Sequence, residues 1–155
     1  MKGKQTVIDL LNALLVEEMT AADQYFIHSR MYEDWGLSKL HERIGHEWQE
    51  ELEHASALIE RILFLEGTPD LSQRGGLSIG QDVPSMLKND LSVEYKVAEQ
   101  LRGAIATCEQ EQDYISREIL EKLLDDTEVD HAYWLEKQLG LIDKIGLQNY
   151  IQSQM

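Results

Sequence analysis

Two residue pairs in this chain have the types and spacing for metal chemistry: Glu51 with His54, and Glu128 with His131. A carboxylate and an imidazole three positions apart on a helix share one face within a single turn. Eighteen Glu and five His in 155 residues give about 0.6 such pairs by chance, so the number of pairs decides little. Their position decides more. Over residues 40–66 the inward stripe runs Leu40, Ile44, Glu47, Glu51, His54, Leu58, Ile62, in steps of three and four. Such a stripe faces a core, and its middle is ionisable. Unpaired buried charge is costly, so something must neutralise Glu51 and His54. A metal ion does so directly.

The elements that must position these residues read as long helices. The first is predicted over residues 6–33, with a stripe of Ile8, Leu11, Leu15, Glu18, Ala22 and Tyr25 in which Glu18 stands where leucine is wanted. Asp34-Trp35-Gly36-Leu37-Ser38 breaks it, with Ser38 as the next N-cap. So short a connection makes the first two helices antiparallel neighbours. The second helix is expected to stop at Gly67, with Pro69 just beyond. Trp48, Leu52, Ala55, Ile59 and Leu63 form its second apolar stripe, which implies either a contact with another subunit or one broad core face.

Residues 68–82 read as irregular chain rich in glycine. Fifteen extended residues reach about 50 Å, enough to recross a 27-residue helix of about 40 Å. Helices two and three then run parallel, joined by one crossover. Asp82 caps helix three, whose stripe is Leu87, Leu91, Glu94, Ala98, Leu101, Ile105, Cys108. Asp113 caps helix four, with Leu120, Leu124, Glu128, His131, Leu135 and Gln138, and a short fifth helix is expected over residues 147–152.

The whole chain sets limits. Its 155 residues make one domain, 1–155, long enough to bury roughly 70% of the unfolded surface. A net charge of −15 argues against nucleic acid or an anionic membrane and suits a surface or cavity that attracts cations. No segment approaches the roughly 18 apolar residues that span a bilayer, and Met1-Lys2-Gly3-Lys4 opens no secretory signal. The one cysteine, Cys108, excludes an internal disulfide or a thiolate-built metal site and reads as inert packing. The cytoplasm is the expected compartment.

Each of the four stripes thus carries a carboxylate near its middle, and two carry a histidine three residues later. That is the ligand set known for dimetal–carboxylate bundles, and mixed oxygen and nitrogen ligands suit iron or manganese. A buried polar network without metal would leave four carboxylates repelling one another. At this point the chain resembles the bacterioferritins and bacterial ferritins over essentially its whole length. Beyond the ligands the resemblance rests on Asp23-Gln24-Tyr25-Phe26, Trp35-Gly36-Leu37, residues 61–67 (RILFLEG) and Gly146-Leu147-Gln148-Asn149-Tyr150.

The resemblance implies an all-α, ferritin-like four-helix bundle with a long crossover and a short fifth helix. It implies iron storage and detoxification in an octahedral homo-oligomer of about two dozen subunits, and a ferroxidase that turns Fe(II) into Fe(III) at a di-iron centre. Carried over residue by residue, Glu18 and His54 hold one iron and Glu94 and His131 the other. Glu51 and Glu128 bridge them. Tyr25 stands beside the centre, or is a plain core tyrosine. His46 and Glu50 match the family's inner-surface iron site, or are a solvated helix face.

Two departures stand out. Helix four is one residue longer ahead of its Glu-x-x-His, which keeps the spacing within the motif. Leu52 occupies the position of the haem-ligating methionine, so haem b is not expected in a homomer. Mixed assembly with a haem-binding bacterioferritin subunit, and a small iron–sulfur ferredoxin for iron release, complete the partners that the resemblance implies. The readings left beside it are a small di-iron or di-manganese oxidase or catalase on the same bundle, and a shell subunit serving a haem-bearing chain.

Overall fold

A computed structural model describes residues 1–155. Helix α1 spans Gln5–Asp34 and α2 spans Ser38–Phe64. An irregular crossover covers residues 65–82, and α3 spans Val83–Gln110. The fourth rod is α4 (Tyr114–Asp125), a π-helical turn (Asp126–Ala132) and α5 (Tyr133–Ile145) in succession. Its backbone stays right-handed helical through both junctions, with φ −59° and ψ −43° at Asp126 and φ −62° and ψ −45° at Ala132. A last short helix, α6, spans Leu147–Ser153. The fold is therefore the all-α bundle with a long crossover and a short terminal helix that the periodicities imply.

The ends of the helices explain its connections. Gly36, at φ 75°, closes α1 with paired hydrogen bonds from Leu37 N–H to the Tyr32 carbonyl (2.9 Å) and from Gly36 N–H to the Glu33 carbonyl (3.0 Å). Ser38 was expected to cap α2, but it is already inside the helix, and Leu37 holds the cap position without a side-chain bond. The expected stop at Gly67 is also built differently. Glu66 takes the left-handed turn (φ 62°), and Gly67 N–H reaches the Ile62 carbonyl at 2.9 Å. Gly67 is small for a packing reason, because a Cβ there would meet Ile8 Cγ2 at 2.7 Å. Asp82 caps α3 reciprocally with Ser85, and Asp113 caps α4 through the Ser116 amide.

The crossover is strapped to α1 by a ladder at four-residue spacing. Thr20 Oγ1 accepts from Gly75 N–H, Gln24 Oε1 from Ser78 N–H and His28 Nε2 from Gly80 N–H, each at 3.1 Å. Gln24 and His28 in turn donate to the buried Asp90 of α3, at 2.8 and 2.9 Å. These bonds satisfy backbone groups that a long loop would otherwise leave open.

Packing gives the directions of the rods. One apolar cluster joins Leu11 and Leu15 of α1, Leu58 and Ile62 of α2, Leu101 and Cys108 of α3, and Leu120 and Leu123 of α4. The other joins Tyr25 and Tyr32 of α1, Leu40 and Ile44 of α2, Val83 and Leu87 of α3, and Leu135 of α5. The beginning of α3 thus lies with the beginning of α2, and the ends lie together, so the two are parallel. Cys108 is buried in the first cluster, and its thiol is pushed up to about 11, chiefly by burial, so it is inert.

The second apolar stripe of α2 divides its loyalties. Trp48 stacks on Phe26 of the same chain (ring centres 4.5 Å apart), Ala55 is buried and Ile59 packs on the first cluster. Leu52 stays half-exposed and Leu63 is exposed, so the stripe is part core and part outer face.

Candidate metal centre

Between the two apolar clusters lies a polar layer. Glu18 of α1, Glu51 and His54 of α2, Glu94 of α3 and His131 of the π-turn are all buried there, at 0–4% exposure. Each interrupts an apolar stripe at mid-helix, so the force that buries the leucines on either side carries these groups in with them. His54 Nδ1 faces Glu18 Oε2 at 3.0 Å and Glu51 Oε2 at 3.6 Å. His131 Nδ1 faces Glu51 Oε1 at 3.1 Å and Glu94 Oε1 at 3.4 Å. The imidazole rings lie nearly parallel with centres 5.8 Å apart. Two three-residue ligand groups result, Glu18/Glu51/His54 and Glu51/Glu94/His131, and Glu51 belongs to both.

The donor set fits cations closely. Glu18 Oε1, Glu51 Oε2, Glu94 Oε2 and His131 Nδ1 are buried without a hydrogen-bond partner. Orphaned oxygens in a dry interior are costly unless a positive charge meets them. The protein copes with the same demand by holding protons. Burial, and then the Glu51 carboxylate, push the Glu18 carboxyl well above its ordinary range. Burial also raises Glu94. For His54, burial works downward, but bonds with Glu18 and Glu51 outweigh it and lift the imidazole to about 11. His131 is raised in the same way, by Glu47, Glu51 and Glu94 against the effect of burial.

Glu128 does not join them. The structure places Glu128, the residue expected as a second bridge, half-exposed in an ion pair with Arg102 of α3. The cause is the π-turn. There the hydrogen-bond step lengthens from i+4 to i+5, so a residue three before His131 swings off its face. Thr127, four before His131, is fully buried in its place, and its hydroxyl donates to the Leu123 carbonyl at 2.8 Å. Leu123 is buried, and Leu124 is half-buried against the same first cluster. Five candidate ligand residues thus share the layer, with Glu51 common to both groups.

The Nε2 side of each imidazole has its own carboxylates. Asp126 Oδ2 lies 3.1 Å from His54 Nε2, while Glu47 Oε2 and Glu50 Oε2 lie 2.6 and 2.5 Å from His131 Nε2. Such partners place the proton on Nε2 and leave the Nδ1 lone pair for a metal. His46 Nε2 reaches the other oxygen of Glu50 at 2.8 Å, so this pair does meet, with His46 largely exposed and Glu50 turned toward the centre. Tyr25 is buried and its hydroxyl donates to Glu94 Oε1; burial and the nearby Glu94 carboxylate raise its pKa well above the usual value. Glu47 was visible on the inward stripe, one turn before Glu51. Asp126 gave no sequence signal, because only the π-turn brings it to His54.

Four helical rods with buried carboxylates and paired imidazoles at their centre present the donor set of a dimetal–carboxylate bundle. Residues 8–145 match the ferritin-like domain family, and the chain belongs to the ferritin family. It is 66% identical over 155 residues to a bacterial ferritin of Synechocystis sp., covering 100% of this chain and 99% of that protein. It is 57% identical over 155 residues to a bacterial ferritin of Pseudomonas aeruginosa, covering both in full. A bacterioferritin of Mycobacterium leprae is 41% identical over 150 residues, 97% of this chain and 94% of that protein. Iron storage is thereby this chain's role, and no helix is long and apolar enough to cross a membrane.

Proposed function

We propose that the chain is a ferroxidase subunit of a cytoplasmic iron-storage shell, an octahedral assembly of 24 copies. The observation that carries the reading is the shared Glu51, set between two inward-facing Nδ1 atoms. Glu18 and His54 bind one ferrous ion, Glu94 and His131 the other, and Glu51 bridges the two. Two ions held together deliver two electrons in one event, reducing dioxygen to peroxide or peroxide to water without releasing a one-electron radical. Bound cations displace the protons that the empty carboxyls and imidazoles hold. Glu50 and His46 offer the next ligands toward the inner surface.

The reading is tested by adding ferrous iron aerobically to purified protein and resolving it by size exclusion. The expected result is ferric iron, in far more than two atoms per subunit, co-eluting with a single large species. Iron that never exceeds two per subunit, on a small species, would favour the oxidase reading.

Haem gives a second test. Leu52 has no atom that can ligate iron, so the homomer is expected to purify without a bis-thioether haem spectrum. Leu52→Met nearly conserves volume and costs under about 1.5 kcal/mol. If Leu52 copies meet at a two-fold axis, it restores two sulfur ligands at once, visible by absorption and magnetic circular dichroism after haem reconstitution. Bis-methionine ligation already present in the wild-type homomer would overturn this account of Leu52.

A further inference from the structure

Arg43 lies one turn before Glu47 on α2, and its contacts converge on the metal centre. Its Nε donates to Glu47 Oε1 at 2.7 Å. Its Nη2 donates to Asp130 Oδ1 at 3.0 Å and to the Asp130 carbonyl at 3.3 Å. Its guanidinium lies 4.7 Å above the Trp134 ring. One cation therefore ties α2 to the π-turn at the residue immediately before His131. The other oxygen of Glu47, Oε2, is the one that lies 2.6 Å from His131 Nε2.

We propose that Arg43 is a positioning residue for the His131 half of the dimetal centre, a role that rests on the ferroxidase reading above. Arg43 fixes Glu47 and Asp130, and the Glu47 carboxylate stands 2.6 Å from His131 Nε2, beside the Glu50 oxygen that takes the hydrogen bond, so that the proton stays on Nε2 and Nδ1 presents its lone pair toward Glu51 and Glu94. Two features single out this arrangement. Glu47 is 2% exposed, held by Arg43 through one oxygen with the other buried and free of any hydrogen bond beside Nε2, whereas Glu50, the other neighbour of Nε2, is partly exposed and shares its second oxygen with the solvent-facing His46. Asp126, which serves His54 in the same way, has a side chain 40% exposed and no cation on it. The same π-turn brings Asp130 to Arg43. An arginine suits the position because its planar fork donates from two edges, to Glu47 and Asp130 together; a lysine is a single point charge.

The test is an anaerobic titration of the metal-free full-length protein with Co(II), read by its ligand-field absorption. Wild type is expected to bind two Co(II) per subunit and His131→Ala one tightly. Arg43→Ala should bind the first Co(II) normally and the second 10–100-fold more weakly, the range for loss of an outer hydrogen-bond partner. Arg43→Lys should fall between Arg43→Ala and wild type. Glu47→Gln keeps size and can keep the Arg43 contact, but then turns an N–H toward Nε2; it should weaken the second Co(II) likewise. The double variant should be no worse than the more affected single variant, since both act along one path.

Wild-type affinity for the second Co(II) in either Arg43→Ala or Glu47→Gln would overturn the proposal, as would equal weakening at both sites. If Arg43→Ala fails to fold, Glu47→Gln decides alone. Failure of wild type itself to bind two Co(II) would overturn the dimetal reading instead, which separates the two.

Discussion

His54→Ala and Glu94→Ala are each expected to abolish the fast phase of ferrous oxidation while the helices remain folded. Each variant removes a ligand from a different half of the centre, and the other nearby carboxylates, Asp126, Glu47 and Glu50, face the Nε2 sides of the imidazoles rather than the space before the Nδ1 atoms. A single remaining iron cannot deliver two electrons at once, so the loss should be of the phase itself rather than a modest slowing. The fold should survive because clusters of 15 and 11 buried apolar-lined residues flank the site on either side. Glu94→Ala leaves the Tyr25 hydroxyl without its acceptor, a cost of about 1–3 kcal/mol. It also removes one of several carboxylates crowded around His131. His54→Ala strands no obligatory charge, since Glu18 is already pushed toward its protonated form by burial and by Glu51. Stopped-flow absorbance after ferrous addition, with circular dichroism as the folding control, is the measurement. Wild-type fast oxidation in both variants would remove these residues from the site.

Much of this centre can be read from the chain because its ligands violate a strong pattern. Glu18, Glu51, His54 and Glu94 stand where a 3.6-residue period demands leucine, and burying the leucines around them leaves only one place for them. The crossover is legible from its length alone, since it must return the chain across a full helix. The direction of the Glu128 side chain is not legible, because a Glu-x-x-His reads identically in an α-turn and a π-turn; three residues of sequence separation do not fix an angle about the axis. Arg43 was silent for a different reason. An arginine on the flank of an amphipathic helix usually reads as solvated, and its meaning comes from Asp130, 87 positions away. At the α2 terminus Glu66, rather than the glycine beside it, takes the left-handed turn, because the local hydrogen bonds can be satisfied there by either residue.

Placing aspartate at both Leu52 and Leu63 is expected to reduce the assembly to dimers or smaller. Both lie on the outward part of the second α2 stripe, with Leu63 57% exposed, and neither belongs to the buried core. Ile59 would be a poorer choice, since it packs against the subunit's own first cluster, and a charge there would unfold the monomer as readily as it broke a contact. Near Leu63 the surface also exposes Phe64 (51%), and the α1 side presents Phe26 (44%), Ile27 (38%) and Trp35 (40%). Apolar surface on this scale marks a place where another protein surface docks. At a two-fold contact every substitution appears twice, a residue that meets a second being matched by the second meeting the first, so four carboxylates enter one interface that excludes water. Desolvating them without cations costs several kcal/mol per contact, and a closed shell repeats that cost at every two-fold axis. Sedimentation velocity should show the large species replaced by small ones, with unchanged helical dichroism and with Co(II) still bound within each subunit. A shell that stays whole would mean that the stripe faces solvent or the interior, and that the subunits are held by the ends of the helices instead.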